Sequence, residues 1–294
     1  AARAISLHPV AADRFFNACV ALGLLRREGG EVRNAQLSAR FLVKGEPTYL
    51  GDFFLKYDHA SYPRWDDLVH RLRAWRPGAT DDEPPPAADQ GEAGMRARHN
   101  YSLLVAHALG KSYDFSRHRV MLDLGGGTGA YSISLCRSHE SLRAVVFDLP
   151  PVARLAREYV TESDVSPRVE VRAGDFKKDA LPAGFDVALL ADLLSVASEE
   201  TNRALLREIY GRLPGGGAVI VSGWILDDVR TSPLVPVLFC LEDINWRAPD
   251  VERSASTYAG WLAEAGFVEI EHKTYCPPTS MIVGRKPVGA RPIG

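Results

Sequence analysis

At 294 residues the chain exceeds one ordinary domain and can bury a sizeable core, which predicts one large or two modest domains. Its 46% hydrophobic and 24% charged residues are those of a globular protein, and a formal net charge of -2 leaves no electrostatic case for nucleic acid or an anionic membrane surface. No apolar run approaches a membrane span and nothing reads as a signal peptide, so a cytoplasmic protein is expected.

The chain begins at Ala1 within a helical pattern, which leads us to expect that an upstream segment is missing. Phe15, Phe16, Val20, Leu22, Leu24 and Leu25 are expected to form one apolar face. Glu28-Gly-Gly predicts a turn, and residues 32–37 a returning strand. Small helices followed by a two-stranded wing suggest a winged-helix module. A helix that reads DNA offers Arg and Lys to phosphates, whereas this one is mainly apolar and its wing is mixed in sign. Packing or dimerisation is therefore the better reading, ahead of a regulator with a ligand domain.

In residues 56–77, Trp65, Leu68 and Leu72 recur at helical spacing and are expected in the core. Tyr57, His59 and Tyr62 are less regular and are candidates to face a ligand. Residues 78–92 are acidic and proline-rich, hence a linker or mobile loop, and a helix is predicted over 93–109. The cysteines Cys19, Cys136, Cys240 and Cys276 lie far apart and are expected as buried free thiols. No His, Cys or carboxylate cluster has metal-ligand spacing, so no metal is expected.

From residue 120 onward strands and helices alternate, which predicts a mostly parallel sheet covered on both faces. Strands are expected at 120–124, 144–147, 169–173, 187–190 and 218–222, and helices at 130–137, 151–161 and 199–212. A closing antiparallel pair is expected from 267–274 and 279–284, around Cys276-Pro-Pro. The first strand ends in Asp123 and breaks into Gly125, Gly126, Gly127 and Gly129 before a helix. Strand, glycine turn and helix make a nucleotide pocket, because glycines permit close backbone approach and a helix start offers unpaired N–H groups. Gly125-x-Gly127-x-x-Ala130 alone also satisfies the looser dinucleotide fingerprint.

Ligands of such sheets sit at the carboxyl ends of the strands. After the second strand comes Asp148-Leu149, where a carboxylate can accept both hydroxyls of a ribose. After the third comes Gly174-Asp175-Phe176, an acid to accept from an adenine amino group beside an aromatic ring. After the fourth comes Leu190-Ala-Asp-Leu-Leu194. Each acid alone reads as a cap or a solvated turn; three at successive strand ends point to a ligand. The acid after the third strand speaks against a nicotinamide cofactor.

Val-Met-Leu-Asp-Leu-Gly-Gly-Gly-Thr-Gly, Phe-Asp-Leu-Pro, Ala-Gly-Asp-Phe, Leu-Pro-Gly-Gly-Gly and Leu-Ala-Glu-Ala-Gly-Phe together resemble the S-adenosylmethionine-dependent small-molecule O-methyltransferases of the hydroxyindole/caffeate type, in their bacterial natural-product branch. The resemblance spans essentially the whole chain. It implies an α/β fold: a Rossmann-like, seven-stranded class I methyltransferase domain at residues 93–294, preceded by a mainly helical winged-helix dimerisation and substrate-lid domain at 1–92. It also implies a homodimer, S-adenosyl-L-methionine with S-adenosyl-L-homocysteine as product, and an aromatic acceptor held between the domains. By position, Asp123, Gly125, Gly127, Asp148, Leu149, Asp175, Phe176 and Ala191 would form the cofactor site. Gly125 and Gly127 would approach the methionine part, Asp148 the ribose, Asp175 and Phe176 the adenine, and Ala191 the methionine end.

The chain departs from the family after the fourth strand. Where the family carries Leu-His-Asp-Trp, this chain has Leu194-Ser-Val-Ala, and Ser195 stands at the position of the His that takes the acceptor's proton. A neutral serine cannot serve as that base. Four options follow: an acceptor already ionised or uncharged, another base, an aromatic carbon as acceptor, or a cofactor-bound protein with non-methyl chemistry. Candidate bases are His99, His59, Glu242 and Asp243. Glu242 and Asp243 lie in a segment that by resemblance lines the acceptor site. Glu252 matches the family's second acid, in Glu252-Arg-Ser. O-methylation is the leading reading, with N- or C-methylation in the same pocket as the alternative.

Overall fold

The computed structural model describes residues 5–74, 92–244 and 254–289. Two compact units are distinguished, Ala1–Leu55 and Lys56–Gly294.

In the first unit a helix, Pro9–Ala21, starts on proline, which suits the first helical turn, and His8 caps it by accepting from the Val10 N–H. Strands β1 (Leu25–Glu28) and β2 (Glu31–Asn34) pair antiparallel around Gly29 and Gly30, whose φ of 55° and 84° fit a two-residue hairpin turn. The expected strand over 32–37 ends at Asn34, and the helix Gln36–Phe41 follows. Ala35 is extended there and breaks the alternation, so Gln36 and Leu37 belong to the helix. The expected apolar face is only partly buried: Phe16, Val20 and Leu25 are half-covered, while Phe15 and Leu22 are 52% and 74% exposed.

The helix Gly51–Ala60 crosses from the first unit into the second, and the short helices Tyr62–Asp66 and Leu68–Ala74 follow. The expected core role of Trp65, Leu68 and Leu72 does not hold. Their stripe spans the break after Asp66, and Trp65 and Leu72 stay exposed while Leu68 is half-buried. Of the acidic proline-rich stretch only Glu92 is described, and it opens the helix Glu92–Ser112.

The second unit is built on a seven-stranded sheet of β3 (Val120–Leu124), β4 (Arg143–Asp148), β5 (Val169–Ala173), β6 (Val187–Ala191), β7 (Ala218–Gly223), β8 (Val268–Cys276) and β9 (Thr279–Arg285). The spatial order is β5-β4-β3-β6-β7-β9-β8, parallel up to β7 and antiparallel for β9 and β8. The central strands are nearly continuous apolar runs because helices cover both faces. Leu122, Leu124 and Leu190 face one core with Leu206, Trp261 and Leu262. Met121, Val187 and Leu189 face another with Leu109, Ile133 and Leu135.

The helix Pro150–Glu162 begins on proline, Glu199–Arg212 is capped by Ser198, and Ala255–Ala265 is capped by Ser254 and ends at Gly266 with φ 102°. Of the four cysteines only Cys136 is buried, and the others are half-covered free thiols. No helix among the described residues is long and apolar enough to cross a membrane.

Candidate functional site

The chain runs β3, β4, β5 to one side and then returns to place β6 on the other side of β3. The crevice over the carboxyl ends of β3 and β6 is therefore the switch point, the place where open α/β sheets take ligands. The glycine turn stands here. Gly125 has φ 67°, and a Cβ on it would lie 2.7 Å from Leu193. Gly127 has φ 58° and faces open space, with nothing within 4 Å of an added Cβ. The turn passes into the helix Ala130–Ser138 through Gly129, in the left-handed conformation.

Asp148 closes the crevice on the β4 side. Its Oδ2 accepts from the Gly127 N–H at 2.8 Å and its Oδ1 from the Leu149 N–H at 2.7 Å. Burial raises the Asp148 pKa, and these two backbone donors work against that rise. Leu149 is exposed at the start of the next helix. After β5, Asp175 Oδ1 accepts from the Lys177 N–H, its Oδ2 pairs with Lys178, and Phe176 packs on the core. Ala191 ends β6, half-buried on the crevice. Asp123 departs from the expected set: its side chain is fully buried and accepts from Ser132 Oγ at 2.7 Å, bracing the turn from beneath. Burial pushes its pKa up to about 6, against the Ser132 hydrogen bonds, and its Oδ1 has no partner.

The loop after β6 is fixed by its own backbone. Asn202 donates to the carbonyls of Leu194 and Ala197 at 2.8 and 3.2 Å. Ser195 Oγ donates to the Asp192 carbonyl at 3.0 Å, so the hydroxyl at the position of the missing imidazole holds a turn. Among the candidate bases, His99 is buried, stacks on Tyr159 at 3.8 Å and meets Thr128 Oγ1 at 2.7 Å. Burial lowers its pKa to about 4, so it is neutral and braces the glycine turn. Glu242 is buried at the end of the helix Leu234–Asp243. It is one of the charges acting on the Tyr57 phenol, whose pKa burial raises and a hydrogen bond from Arg98 lowers. Tyr62 is exposed. Glu252 and the side chains of His59 and Asp243 lie outside the described set.

The sequence reading missed a polar wall at the ends of β7, β8 and β9. Ser222 Oγ and Tyr275 Oη are 2.7 Å apart, and Tyr131 bonds to Tyr275. Tyr101 bonds to Thr279 and Trp224, and Trp224 meets Phe239 edge-on at 5.0 Å. Only tertiary packing assembles these residues; Tyr131, directly after the glycine turn, was the one local signal.

The adenosyl group implied by the motifs fits this crevice. The space above Gly127 would be lost to a Cβ, and Asp148 presents an ionisable carboxylate beside it. The residues that would hold the group are Gly125, Gly127, Asp148, Asp175 and Ala191.

Comparison with known proteins points to the same cofactor. The family model for an O-methyltransferase domain matches residues 85–268. The chain is 33% identical over 275 residues to the 3-hydroxy-5-methyl-1-naphthoate 3-O-methyltransferase of Streptomyces sahachiroi, covering 91% of this chain and 78% of that protein. It is 32% identical over 269 residues to the N,N-dimethyltransferase OxyT of Streptomyces rimosus, covering 89% of this chain and 77% of that one. The fold is similar to that of human N-acetylserotonin methyltransferase in complex with SAM, with a TM-score of 0.83, 26% identity and coverage of 98% and 86% of the two chains.

Proposed function

Since this chain belongs to the O-methyltransferase family, and is thus an S-adenosylmethionine-dependent enzyme, we propose that it methylates a phenolic hydroxyl of a small polycyclic aromatic intermediate in natural-product biosynthesis. The observation that carries the reading is Asp148 joined to the Gly127 N–H across an open, positive-φ glycine turn at the switch point. The acceptor class is supported by the hydroxynaphthoate named for the Streptomyces sahachiroi relative and by the aromatic pair Trp224 and Phe239.

The cofactor supplies an electrophilic methyl group on a positively charged sulfur. The chain's residues do the holding. Asp148 would accept from the ribose hydroxyls, Asp175 and Phe176 would receive the adenine, and Gly125, Gly127 and Ala191 would admit the methionine end. His99, stacked on Tyr159, keeps Thr128 and hence the turn in place. Trp224, Phe239 and Tyr101 orient a flat acceptor and exclude water. Positioning of this kind removes much of the entropic part of a bimolecular barrier. Ser195 takes no proton, because its hydroxyl donates to the Asp192 carbonyl and its ordinary pKa lies far above neutrality.

We assign residues 1–92 to pairing of two copies. The exposed Phe15, Leu22 and Leu24 support this, as an apolar face that a homodimer would cover. A second reading, transfer to nitrogen, is favoured by the lack of a histidine at 195, since a neutral amine presents its lone pair without a base.

The experiment is a comparison of kcat/KM with S-adenosylmethionine for 3-hydroxy-1-naphthoate, 3-amino-1-naphthoate and 1-naphthoate. Preference for the hydroxy compound, with the methyl group found on oxygen by NMR, supports the proposal. Preference for the amine overturns it in favour of nitrogen, and methyl ester formation from all three overturns it in favour of the carboxylate.

A further inference from the structure

The residue after β6 is in a conformation that the sequence does not announce. Asp192 has φ 55°, a left-handed backbone that side-chain-bearing residues rarely adopt, while its N–H continues the ladder to the Ser222 carbonyl at 2.8 Å. Left-handed backbone at this point turns the side chain from the line of β6 over the end of β7. There the carboxylate takes space that only glycine leaves: a Cβ on Gly223 would lie 2.9 Å from Asp192 Oδ1. Ser195 secures the same turn from the other side by donating to the Asp192 carbonyl at 3.0 Å. Two hydrogen bonds thus fix the Asp192 backbone, and the exposed carboxylate lies against Gly223 at the end of β7.

The topology says what that place is for. With the ribose on Asp148 at the end of β4, the rest of a cofactor laid across the glycine turn extends the other way, toward β6. The reacting end and the acceptor then belong over β6 and β7, where Trp224 and Phe239 stand.

We propose that Asp192 is a catalytic residue that faces the acceptor hydroxyl and takes its proton, in place of the imidazole absent at position 195. The step rests on the methyltransferase reading above. The acceptor O–H bond breaks with its proton going to an Asp192 oxygen, and the acceptor oxygen forms a bond to the methyl carbon. The carbon–sulfur bond breaks onto sulfur, which becomes a neutral thioether, and the proton passes on to water. Among the described residues, the titratable groups on which the Asp192 charge acts are phenols: Tyr101 from the helix Glu92–Ser112, Tyr131 from the helix Ala130–Ser138 and Tyr275 from β8, with the Cys276 thiol acting on Tyr101 and Tyr275. Burial raises all three phenols and the Asp192 charge adds to the rise, so they stay protonated and uncharged beside the carboxylate.

The test compares wild-type enzyme with Asp192→Asn and with Asp192→Gly, which accommodates the left-handed backbone without strain. Each is assayed on 3-hydroxy-1-naphthoate and on a nitro-substituted hydroxynaphthoate that is already ionised at the assay pH. Positioned bases typically contribute about 10²–10⁴-fold. Both variants are expected to lose at least about a hundredfold in kcat on the first acceptor and less than about tenfold on the ionised one. They should also lose the acid limb of the wild-type pH profile and keep affinity for S-adenosylhomocysteine within about threefold of wild type. Equal losses on the two acceptors, or a fall in cofactor affinity that accounts for the loss, would overturn the role given to Asp192 while leaving the methyltransferase reading intact. Wild-type protein that binds no cofactor would overturn both.

Discussion

Replacing Asp148 with asparagine removes one charge and almost no volume. In the structure the carboxylate is held by two backbone N–H groups, from Gly127 at 2.8 Å and Leu149 at 2.7 Å. Its remaining acceptor capacity is what the ribose hydroxyls would use. Hydrogen bonds to a charged group are worth about 1.5–3 kcal/mol each against about 1 kcal/mol for neutral ones. Asparagine keeps one carbonyl oxygen and turns its amide nitrogen toward either a backbone N–H or a hydroxyl, so one charged bond is lost and another weakened. The net loss should be about 2–4 kcal/mol, a 30- to 1000-fold weaker affinity for S-adenosylhomocysteine.

Calorimetric titration measures this directly. A thermal melt of the ligand-free variant within a few degrees of wild type keeps the comparison to binding. The pH dependence carries the same sign: burial raises the Asp148 pKa above the ordinary carboxylate value, so wild-type affinity should fall as pH drops through that raised value. The asparagine variant should lack that fall. An Asp148→Asn protein that binds within threefold of wild type would refute the assignment of the ribose to this carboxylate.

Gly127→Ala should cost about 1–2 kcal/mol of stability from its positive φ, visible as a lower melting temperature. Its methyl group enters the open space of the turn, so S-adenosylhomocysteine affinity should fall more than tenfold; unchanged affinity would place the ligand elsewhere. Asp123 has a folded pKa of about 6, above an unfolded value near 3.9. The folded state therefore binds its proton more tightly, and this group favours folding most below pH ~4, losing that contribution as pH rises to about 6. Asp123→Asn should reduce the decline in unfolding free energy across that window, about 3 kcal/mol at most, as read from urea titrations, and an identical decline in both proteins would contradict it. Ser195→Ala removes one side-chain bond to the backbone and should lower turnover less than tenfold. A thousandfold loss with cofactor binding intact would make Ser195 part of the chemistry.

The sheet was largely legible in the sequence, because buried parallel strands read as short apolar runs between turn signals. Residues 120–124 and 169–173 form β3 and β5 as expected, and the helix Glu199–Arg212 starts where Ser198 and two acids mark an N-terminus. The stretch around Ala35 was less legible, since Gln36 and Leu37 fit a strand and a helix equally well until the backbone turns. Trp65 and Leu72 show that helical spacing reports a face and not what covers it. Asp148 could be found because a strand end fixes where its side chain emerges. Asp123 could not be told from it, although its position within β3 turns its carboxylate inward to Ser132. The left-handed backbone of Asp192 and the phenols gathered beside it depend on tertiary packing, and His99 was legible as a histidine but not as the brace of Thr128.

The central claim is that this chain carries the methyl group of S-adenosylmethionine to an aromatic oxygen. The most direct measurement is a single turnover with methyl-labelled cofactor and 3-hydroxy-1-naphthoate, enzyme in excess, followed by NMR and mass spectrometry. The account predicts one labelled methyl ether and one S-adenosylhomocysteine per turnover. Cofactor that binds but returns unreacted with this acceptor and with its ionised nitro analogue would contradict it.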